Sequence, residues 1–340
     1  MNEKMLKQHA LICCSVMTCL ALSACAPLED VSKVFSQELS SQTITNSAQT
    51  HLDVSDSMVS TNTSSLTSDS SNIDAEMKKL QLQAPIKVSN IVSDEDKAFL
   101  KKLLSSANID EALIKSTLDR ISAYNEQVGV ENLISGTAET SDVRPLYNVA
   151  ELYNKLDSTR GEFIGNNCRM TTFEIMSKFM SDPLEAKDRP DYLFIDHDAL
   201  ASKKGITLSD EELKKFDKIY ASILTENSKD EQVHSRKILE DYAARNINFT
   251  PSQASIISVY MHSHFDGEPD YLFVGHTGIL FPYEGQYVFF EKVSFDEPYQ
   301  LVYVKDKAQL KEYLLAKYDD SDTQETSAPL IFENNQVMQI

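Results

Sequence analysis

The sequence predicts an α+β fold, with helices in the first half of the folded region and an antiparallel sheet in the second. Two observations support this prediction. Between residues 94 and 245, apolar residues recur at helical spacing. From Pro251 onward, segments rich in β-branched and aromatic residues alternate with turn signals. Helices followed by consecutive strands are typical of the α+β class.

Six helices are predicted in the first half, and most begin at an acidic residue, Asn or Ser that can cap the free amides of a first turn. The fifth carries Asp210, Glu211 and Glu212 in its first turn, where the helix dipole favours negative charge. Residues 192–195 are interpreted as a buried strand, and residues 196–198 as a polar loop or a helix cap. The predicted helices span residues 94–108, 110–129, 145–156, 166–180, 209–224 and 230–245.

The second half predicts four consecutive strands, a closing helix and a last short strand. The acidic stretch 319–325 is interpreted as a solvated linker before that last strand. The four strands cover residues 254–264, 271–281, 287–295 and 301–304, the helix covers 306–318, and the last strand covers 329–332.

The N-terminus predicts an export signal with a lipid attachment site. Lys4 and Lys7 precede a nearly uncharged apolar stretch, residues 10–22, which is too short to span a bilayer comfortably. The sequence Leu22-Ser23-Ala24-Cys25 has the pattern of a lipobox, in which the cysteine is lipidated and becomes the new N-terminus. We therefore predict that residues 1–25 are a lipoprotein signal and that Cys25 anchors the protein on the extracytoplasmic face of the cell membrane. The alternative is an ordinary secretory signal in which Cys25 has no role.

Composition divides the rest of the chain in two. Residues 26–84 are rich in Ser and Thr and cannot bury enough apolar area to fold, so they predict a disordered stalk, with a single α+β domain at 85–340. The formal net charge of −20 argues against nucleic acid as a partner and against electrostatic adhesion to anionic lipid. The lipid on Cys25, rather than charge, would hold the protein to the membrane.

Cys168 is the leading candidate for chemistry. Of the five cysteines, three lie in the predicted signal and Cys25 is the predicted lipidation site, so one ordinary thiol remains and no disulfide framework is expected. Asn166 or Asn167 would cap a helix that begins at Cys168, where free amides and the helix dipole stabilise a thiolate and can donate to an oxyanion. The alternative is a small buried residue on an apolar helix face.

His276 is the candidate base, and Glu291 is the candidate orienting group. If Pro282-Tyr283-Glu284-Gly285 forms a four-residue turn, His276 and Glu291 lie opposite each other across a hairpin. Glu291 would then hold one ring nitrogen while the other faces Cys168. A change of one residue in the register would place Lys292 there instead. The simpler alternative for His276 is a satisfied histidine within the sheet.

These residues carry a resemblance to known families. A cysteine at a helix start, followed by a strand with His276-Thr277-Gly278-Ile279 and then a strand with a polar residue, resembles papain-like NlpC-type cell-wall hydrolases. That resemblance implies cleavage of amide bonds, usually in peptidoglycan stem peptides, although the 108 positions from Cys168 to His276 exceed the usual spacing. More closely, four segments resemble the bacterial surface-lipoprotein family called domain of unknown function 4300, which implies no activity: residues 161–169 (GEFIGNNCR), 272–278 (LFVGHTG), 290–295 (FEKVSF) and 298–300 (PYQ).

A metal site is a competing interpretation. His262, His264 and Asp266 have the His-x-His-x-Asp spacing of metallohydrolases, although no further ligand follows at an obvious spacing. The sequence contains no Gly-rich phosphate loop, and we expect no cofactor.

Two functional classes remain open. One is a thiol hydrolase that acts on cell-wall or peptide amides. The other is a non-catalytic surface lipoprotein that binds a wall fragment, a peptide or another protein.

Overall fold

The structure is a computed structural model that describes residues 79–161, 163–186 and 189–340, without the side chains of residues 323 and 324. The predicted signal at 1–25, the lipidation site Cys25 and most of the predicted stalk lie outside the described residues.

Most helices begin at a capping side chain that accepts a hydrogen bond from a first-turn amide, as the sequence predicts. Ser209 and Glu212 form a reciprocal capping box at the start of one of them. The helices are α1 (Asp94–Ser106), α2 (Glu111–Val128), α3 (Val149–Arg160), α4 (Cys168–Met176), α5 (Phe194–Ala201), α6 (Asp210–Ile219), α7 (Glu231–Arg245), α8 (Lys307–Tyr318) and α9 (Ser321–Gln324).

The strands form one antiparallel sheet with the order β2-β1-β7-β6-β5-β4-β8-β9, and β3 pairs with β5 outside this path. The α+β class is therefore confirmed. The strands are β1 (Gln81–Ser89), β2 (Ala138–Asp142), β3 (Ile223–Leu224), β4 (Ser255–Ser263), β5 (Tyr271–Tyr283), β6 (Gln286–Lys292), β7 (Tyr299–Val304), β8 (Leu330–Glu333) and β9 (Gln336–Val337).

The prediction that helices precede all strands is wrong, because β1 precedes the helices and β2 and β3 lie between them. Strand β1 begins at Gln81, within the range predicted for the stalk, and it lies between β2 and β7. Leu82, Ile86 and Val88 are buried at alternating positions, which is the strand period. Pro85 lies where the pairing of β1 with β2 changes register, and a sheet tolerates proline at such an irregularity.

Several other predicted elements differ from the structure, and three of these differences have a clear physical reason. Helix α3 begins at Val149 because the Asn148 side chain caps it, rather than at residue 145. Helix α6 ends at Ile219, since residues 223–224 leave the helix and join the sheet as β3. The strand predicted at 192–195 is wrong, because α5 begins at Phe194.

The turn between β5 and β6 also corrects the predicted register. Glu284 and Gly285 both have positive φ, 49° and 80°, and form the centre of a four-residue turn at 283–286, one position later than the predicted turn at 282–285. Tyr283 therefore pairs with Gln286, and the ladder continues to the pair Ile279 and Phe290.

Candidate active site

Cys168 is the first residue of α4, at the helix start that the sequence predicts. The Asn167 side chain accepts a hydrogen bond from the Met170 amide at 3.0 Å and caps the helix. The preceding Gly165 has φ 107°, and a Cβ there would lie 2.6 Å from the Phe295 carbonyl oxygen. A glycine is therefore required where the chain passes the end of β6 and enters α4.

The two asparagines before Cys168 have different roles. Asn167 is the cap, while the Asn166 side-chain oxygen accepts from the Ile206 amide at 2.9 Å. Asn166 therefore fixes the loop that precedes the helix and does not cap it.

A buried ion pair holds the first turn of α4. Asp196 is fully buried and accepts hydrogen bonds from Arg169, at 3.0 Å to Nε and 2.5 Å to Nη2. The same carboxylate accepts from the Asn167 side-chain amide at 2.8 Å, which leaves the Asn167 oxygen free to cap. The third Arg169 nitrogen donates to the Val274 carbonyl at 3.0 Å and so ties α4 to β5. Asp196 fixes the geometry on both sides of Cys168.

His276 and Glu291 meet inside the sheet. His276 Nε2 lies 2.6 Å from Glu291 Oε2, and both side chains are completely buried. In the observed register, an extended ladder would place Val293 opposite His276, two positions beyond Glu291. Because a shift of two residues keeps a side chain on the same face, Glu291 reaches His276 diagonally.

Helix α8 and strand β7 complete the surroundings of Glu291. Its Oε1 accepts from the Tyr313 hydroxyl at 2.7 Å and from the Gln300 amide at 3.0 Å. Lys317 Nζ lies 3.6 Å from the same oxygen. Burial alone would raise the pKa of Glu291, but the Lys317 charge, the contact with His276 and the bond from Tyr313 lower this pKa to about 2. Glu291 is a carboxylate throughout the physiological range.

Cys168 and His276 stabilise each other's charged forms. Burial lowers the pKa of His276, but the Cys168 thiolate and the Glu291 carboxylate raise it to about 9. Burial raises the pKa of Cys168, whereas His276, Arg169 and the Thr277 backbone amide lower it below its ordinary value. Neither imidazole nitrogen has a regular hydrogen bond to a described residue, and Nε2 pairs with Glu291 Oε2 through charge at 2.6 Å. Since Nε2 contacts Glu291, Nδ1 is the nitrogen left for the thiol.

Lys292, the alternative to Glu291, has a different environment. Its ammonium donates to the Ser294 carbonyl at 2.8 Å and to the Glu297 carbonyl, and it lies 4.3 Å from the centre of the Tyr124 ring. Burial lowers the pKa of Lys292 to about 7, although Asp296 and Glu297 oppose this shift. Lys292 stabilises the loop after β6, and no contact of its ammonium is with His276.

Tyr318, the last residue of α8, covers the imidazole. Its ring stacks on His276 with a centroid distance of 4.7 Å and an interplanar angle of 21°. Cys168 is 5% exposed, and His276 is fully buried. The three groups are thus assembled but enclosed.

Sequence reasoning missed the residues that support the three central groups. Tyr313 and Lys317 are four residues apart on a predicted helix, so their shared face was a detectable signal. Asp196 was interpreted only as a loop or a cap. Its pairing with Arg169 spans 27 positions and gives no local signal.

The predicted metal ligands do not converge. His262 and His264 both contact Asp270, at 2.8 Å and 2.9 Å, whereas Asp266 is exposed and lies 3.9 Å from His264. Within residues 79–161, 163–186 and 189–340, no group of three or more His, Cys, Asp or Glu residues could hold a metal ion. The His-x-His-x-Asp pattern is instead two histidines bound to a later carboxylate.

Comparison with known proteins gives one match. The model of the family described as "Domain of unknown function (DUF4300)" matches residues 87–338. No curated protein and no solved structure matches the chain. Among the helices of the described residues, none has the length and apolar character needed to cross a membrane.

Proposed function

The chain belongs to the DUF4300 family, whose description assigns no activity, and from that premise we propose that it is a thiol hydrolase that cleaves amide bonds. Cys168 is the nucleophile, His276 the base and then the acid, and Glu291 the group that orients and charges the imidazole. One observation carries the proposal: Cys168 at a helix start faces a buried His276–Glu291 pair from two strands, an arrangement that favours a thiolate and an imidazolium.

The first half of the reaction forms a thioester. The Cys168 thiolate attacks the amide carbonyl carbon, and the carbonyl electron pair moves to oxygen. The oxyanion then re-forms the carbonyl and the carbon–nitrogen bond breaks, while imidazolium His276 gives its proton to the departing amine. The Cys168 and Arg169 amides precede the first hydrogen bond within α4, from the Thr171 amide to the Asn167 carbonyl, and we infer that they donate to the oxyanion.

The second half releases the acid. His276, now neutral, takes a proton from water as the water oxygen attacks the thioester carbon. Collapse of the oxyanion expels the Cys168 thiolate, and the imidazolium–thiolate pair is restored. Glu291 remains a carboxylate throughout, because its surroundings keep its pKa near 2.

The substrate and location follow from the sequence. The order of Cys168, His276 and a polar residue on the next strand resembles papain-like NlpC-type enzymes, so we infer a cell-wall or peptide amide as substrate. The lipobox ending in Cys25 supports attachment to the extracytoplasmic face of the membrane. We infer no nucleic acid partner, given the net charge of −20.

A second candidate function is a non-catalytic lipoprotein that binds a wall fragment, a peptide or a protein. The burial of Cys168, His276 and Glu291 favours this alternative, since binding requires no reachable thiolate.

The two candidates differ in whether Cys168 reacts with a substrate. The test incubates the full chain with peptidoglycan stem peptides and follows both amide cleavage and a thioester at Cys168 by mass spectrometry. Cleavage that is lost in Cys168→Ser and His276→Ala supports the hydrolase. Tight peptide binding without cleavage in the wild-type chain would favour the binding protein.

A further inference from the structure

The enclosed site requires part of the fold to move before a substrate can enter. Tyr318 stacks on His276 and ends α8. The next residues, 319–329, connect α8 to β8 and are called the strap below. Because Tyr318 directly precedes the strap, displacement of the strap would carry the Tyr318 ring away from the imidazole.

The far end of the strap is tied to a second histidine. The Ser327 amide donates to His262 Nδ1 at 3.2 Å, and Thr326 and Ser327 are buried. His262 lies on β4, the strand whose Val259 pairs with His276. The strap is therefore fastened at one end over His276 and at the other end on His262.

The bond from Ser327 requires a neutral His262. Its Nε2 lies 2.8 Å from Asp270 Oδ2 and donates to that carboxylate, so Nδ1 carries the lone pair that accepts from Ser327. A proton on Nδ1 would point the His262 N–H at the Ser327 N–H, and neither group could accept a hydrogen bond from the other. The bond would be lost, and with it the attachment of Ser327 to β4.

The groups around His262 make this proton unfavourable while the strap is closed. Burial is the main cause that lowers the pKa of His262, and His234 and His264 add to it, while Asp270 opposes it. The His234 ring centre lies 4.5 Å from that of His262. The Thr225 hydroxyl and the Ser228 carbonyl each contact His234 at 2.7 Å.

The remaining charged groups act through His264. It contacts Asp270 at 2.9 Å and lies 3.9 Å from Asp266. The bond to Asp270, with Asp266 and Glu325 of the strap, raises the pKa of His264 above its ordinary value although burial opposes the shift. As pH falls, His264 therefore becomes charged first and further disfavours charge on His262.

The closed strap also leaves polar groups unpaired at both ends. The buried Tyr318 hydroxyl and the buried Ser327 hydroxyl have no hydrogen-bond partner among the described residues. A buried hydroxyl without a partner loses its bonds to water, so both groups gain when the strap opens.

We propose that the strap is an acid-sensitive cover of the active site: protonation of His262 releases Ser327, the strap opens together with Tyr318, and His276 and Cys168 become accessible. The role of the opening in catalysis rests on the proposed hydrolase function. The opening itself does not, since it is argued from the contacts of His262, Ser327 and Tyr318 and needs no reaction at Cys168.

Hydrogen exchange measured by mass spectrometry tests the opening directly. Exchange of the strap amides in the full chain is followed between about pH 7.5 and about pH 5 and corrected for intrinsic chemistry. Opening should increase by up to about tenfold per pH unit between the ordinary histidine pKa and the lower value of His262. His262→Gln keeps an acceptor that does not titrate in this range, and it should abolish the dependence. His197→Gln, another histidine beside a carboxylate, should retain it.

A second variant guards against a folding defect in His262→Gln. Ser327→Pro removes the donor amide and should leave the strap open at all pH values, while the amides of β5 and β6 stay protected. Strap exchange that is independent of pH in the wild-type chain, or equally dependent in His262→Gln, overturns the proposal.

Alkylation of Cys168 by iodoacetamide tests access. At each pH the alkylation rate of the wild-type chain is divided by that of His262→Gln. This ratio removes the effect of pH on the fraction of Cys168 thiolate, which the two chains share. This ratio should rise with strap exchange, and a constant ratio despite strap opening overturns the proposed cover. If both responses occur but no amide is cleaved, the hydrolase function fails and the acid-sensitive strap stands.

Discussion

Replacement of Glu291 by glutamine tests whether the carboxylate sets the charge of the site. Glutamine keeps the shape, and its oxygen can still accept from Tyr313 and Gln300, but the negative charge 2.6 Å from His276 is lost. An opposite charge in contact shifts a pKa by about 1 to 3 pH units. The pKa of His276, raised to about 9 in the native chain, should therefore fall to about 6 to 8 in Glu291→Gln.

The consequence appears in the thiol. The Cys168 thiolate depends on the imidazolium, so its apparent pKa should rise as His276 loses its proton more readily. At any given pH the native chain should therefore hold a larger fraction of thiolate than Glu291→Gln.

Ultraviolet absorbance of the thiolate provides the assay, with Cys168→Ser as the background. This measurement needs no access to the buried sulfur. Glu333→Gln is the matched control. It neutralises a carboxylate that lies outside the site and pairs with Lys307 Nζ at 2.6 Å. Superimposable titration curves for the native chain and Glu291→Gln would refute the role assigned to Glu291.

Three further substitutions test the supporting structure. Asp196→Ala leaves Arg169 buried without its partner and should lower the free energy of unfolding, measured in urea, by about 3 to 5 kcal/mol. The control Asp198→Ala removes an exposed carboxylate and should change this free energy by less than about 0.5 kcal/mol. Asn167→Ala should cost about 1 kcal/mol and raise the pKa of Cys168; loss of another cap, by Asn148→Ala, should cost a similar amount and leave that pKa unchanged. Burial lowers the pKa of Lys292 to about 7, so between about pH 7 and about pH 10 the folded state binds fewer protons than the unfolded state. The native chain should therefore gain stability relative to Lys292→Met as pH rises through this range. Parallel profiles of stability against pH would contradict the lowered pKa.

Local interactions made much of the fold predictable. The start of α4 follows from an Asn that caps the helix within three residues, and α6 from Ser209 with its acidic first turn. Such signals lie within one helical turn and need no knowledge of the rest of the chain. Strand β1 was missed, although Leu82, Ile86 and Val88 alternate, because the preceding polar composition dominated the interpretation.

The proximity of His276 and Glu291 was predictable because it depends on the two-residue period of a sheet. The assumed turn was wrong, but the register error amounted to two residues, and a shift of two preserves the face of every side chain. Glu291 therefore remained beside His276, and an error of one residue would have favoured Lys292. The pairing of Asp196 with Arg169 and the stacking of Tyr318 on His276 arise from packing between distant elements, which no local pattern encodes.

The position of β1 in the sheet has a consequence for folding. Val88 on β1 pairs with Val302 on β7, so this contact joins parts of the chain more than two hundred residues apart. Closing such a loop costs entropy before the pairing compensates it, and folds rich in distant contacts form slowly. Strand β7 and helix α8, which supply Gln300, Tyr313 and Lys317, also emerge late in synthesis. Any activity of Cys168 should therefore appear only after nearly the whole chain has been made, and a nascent chain that lacks its last forty residues should be inert.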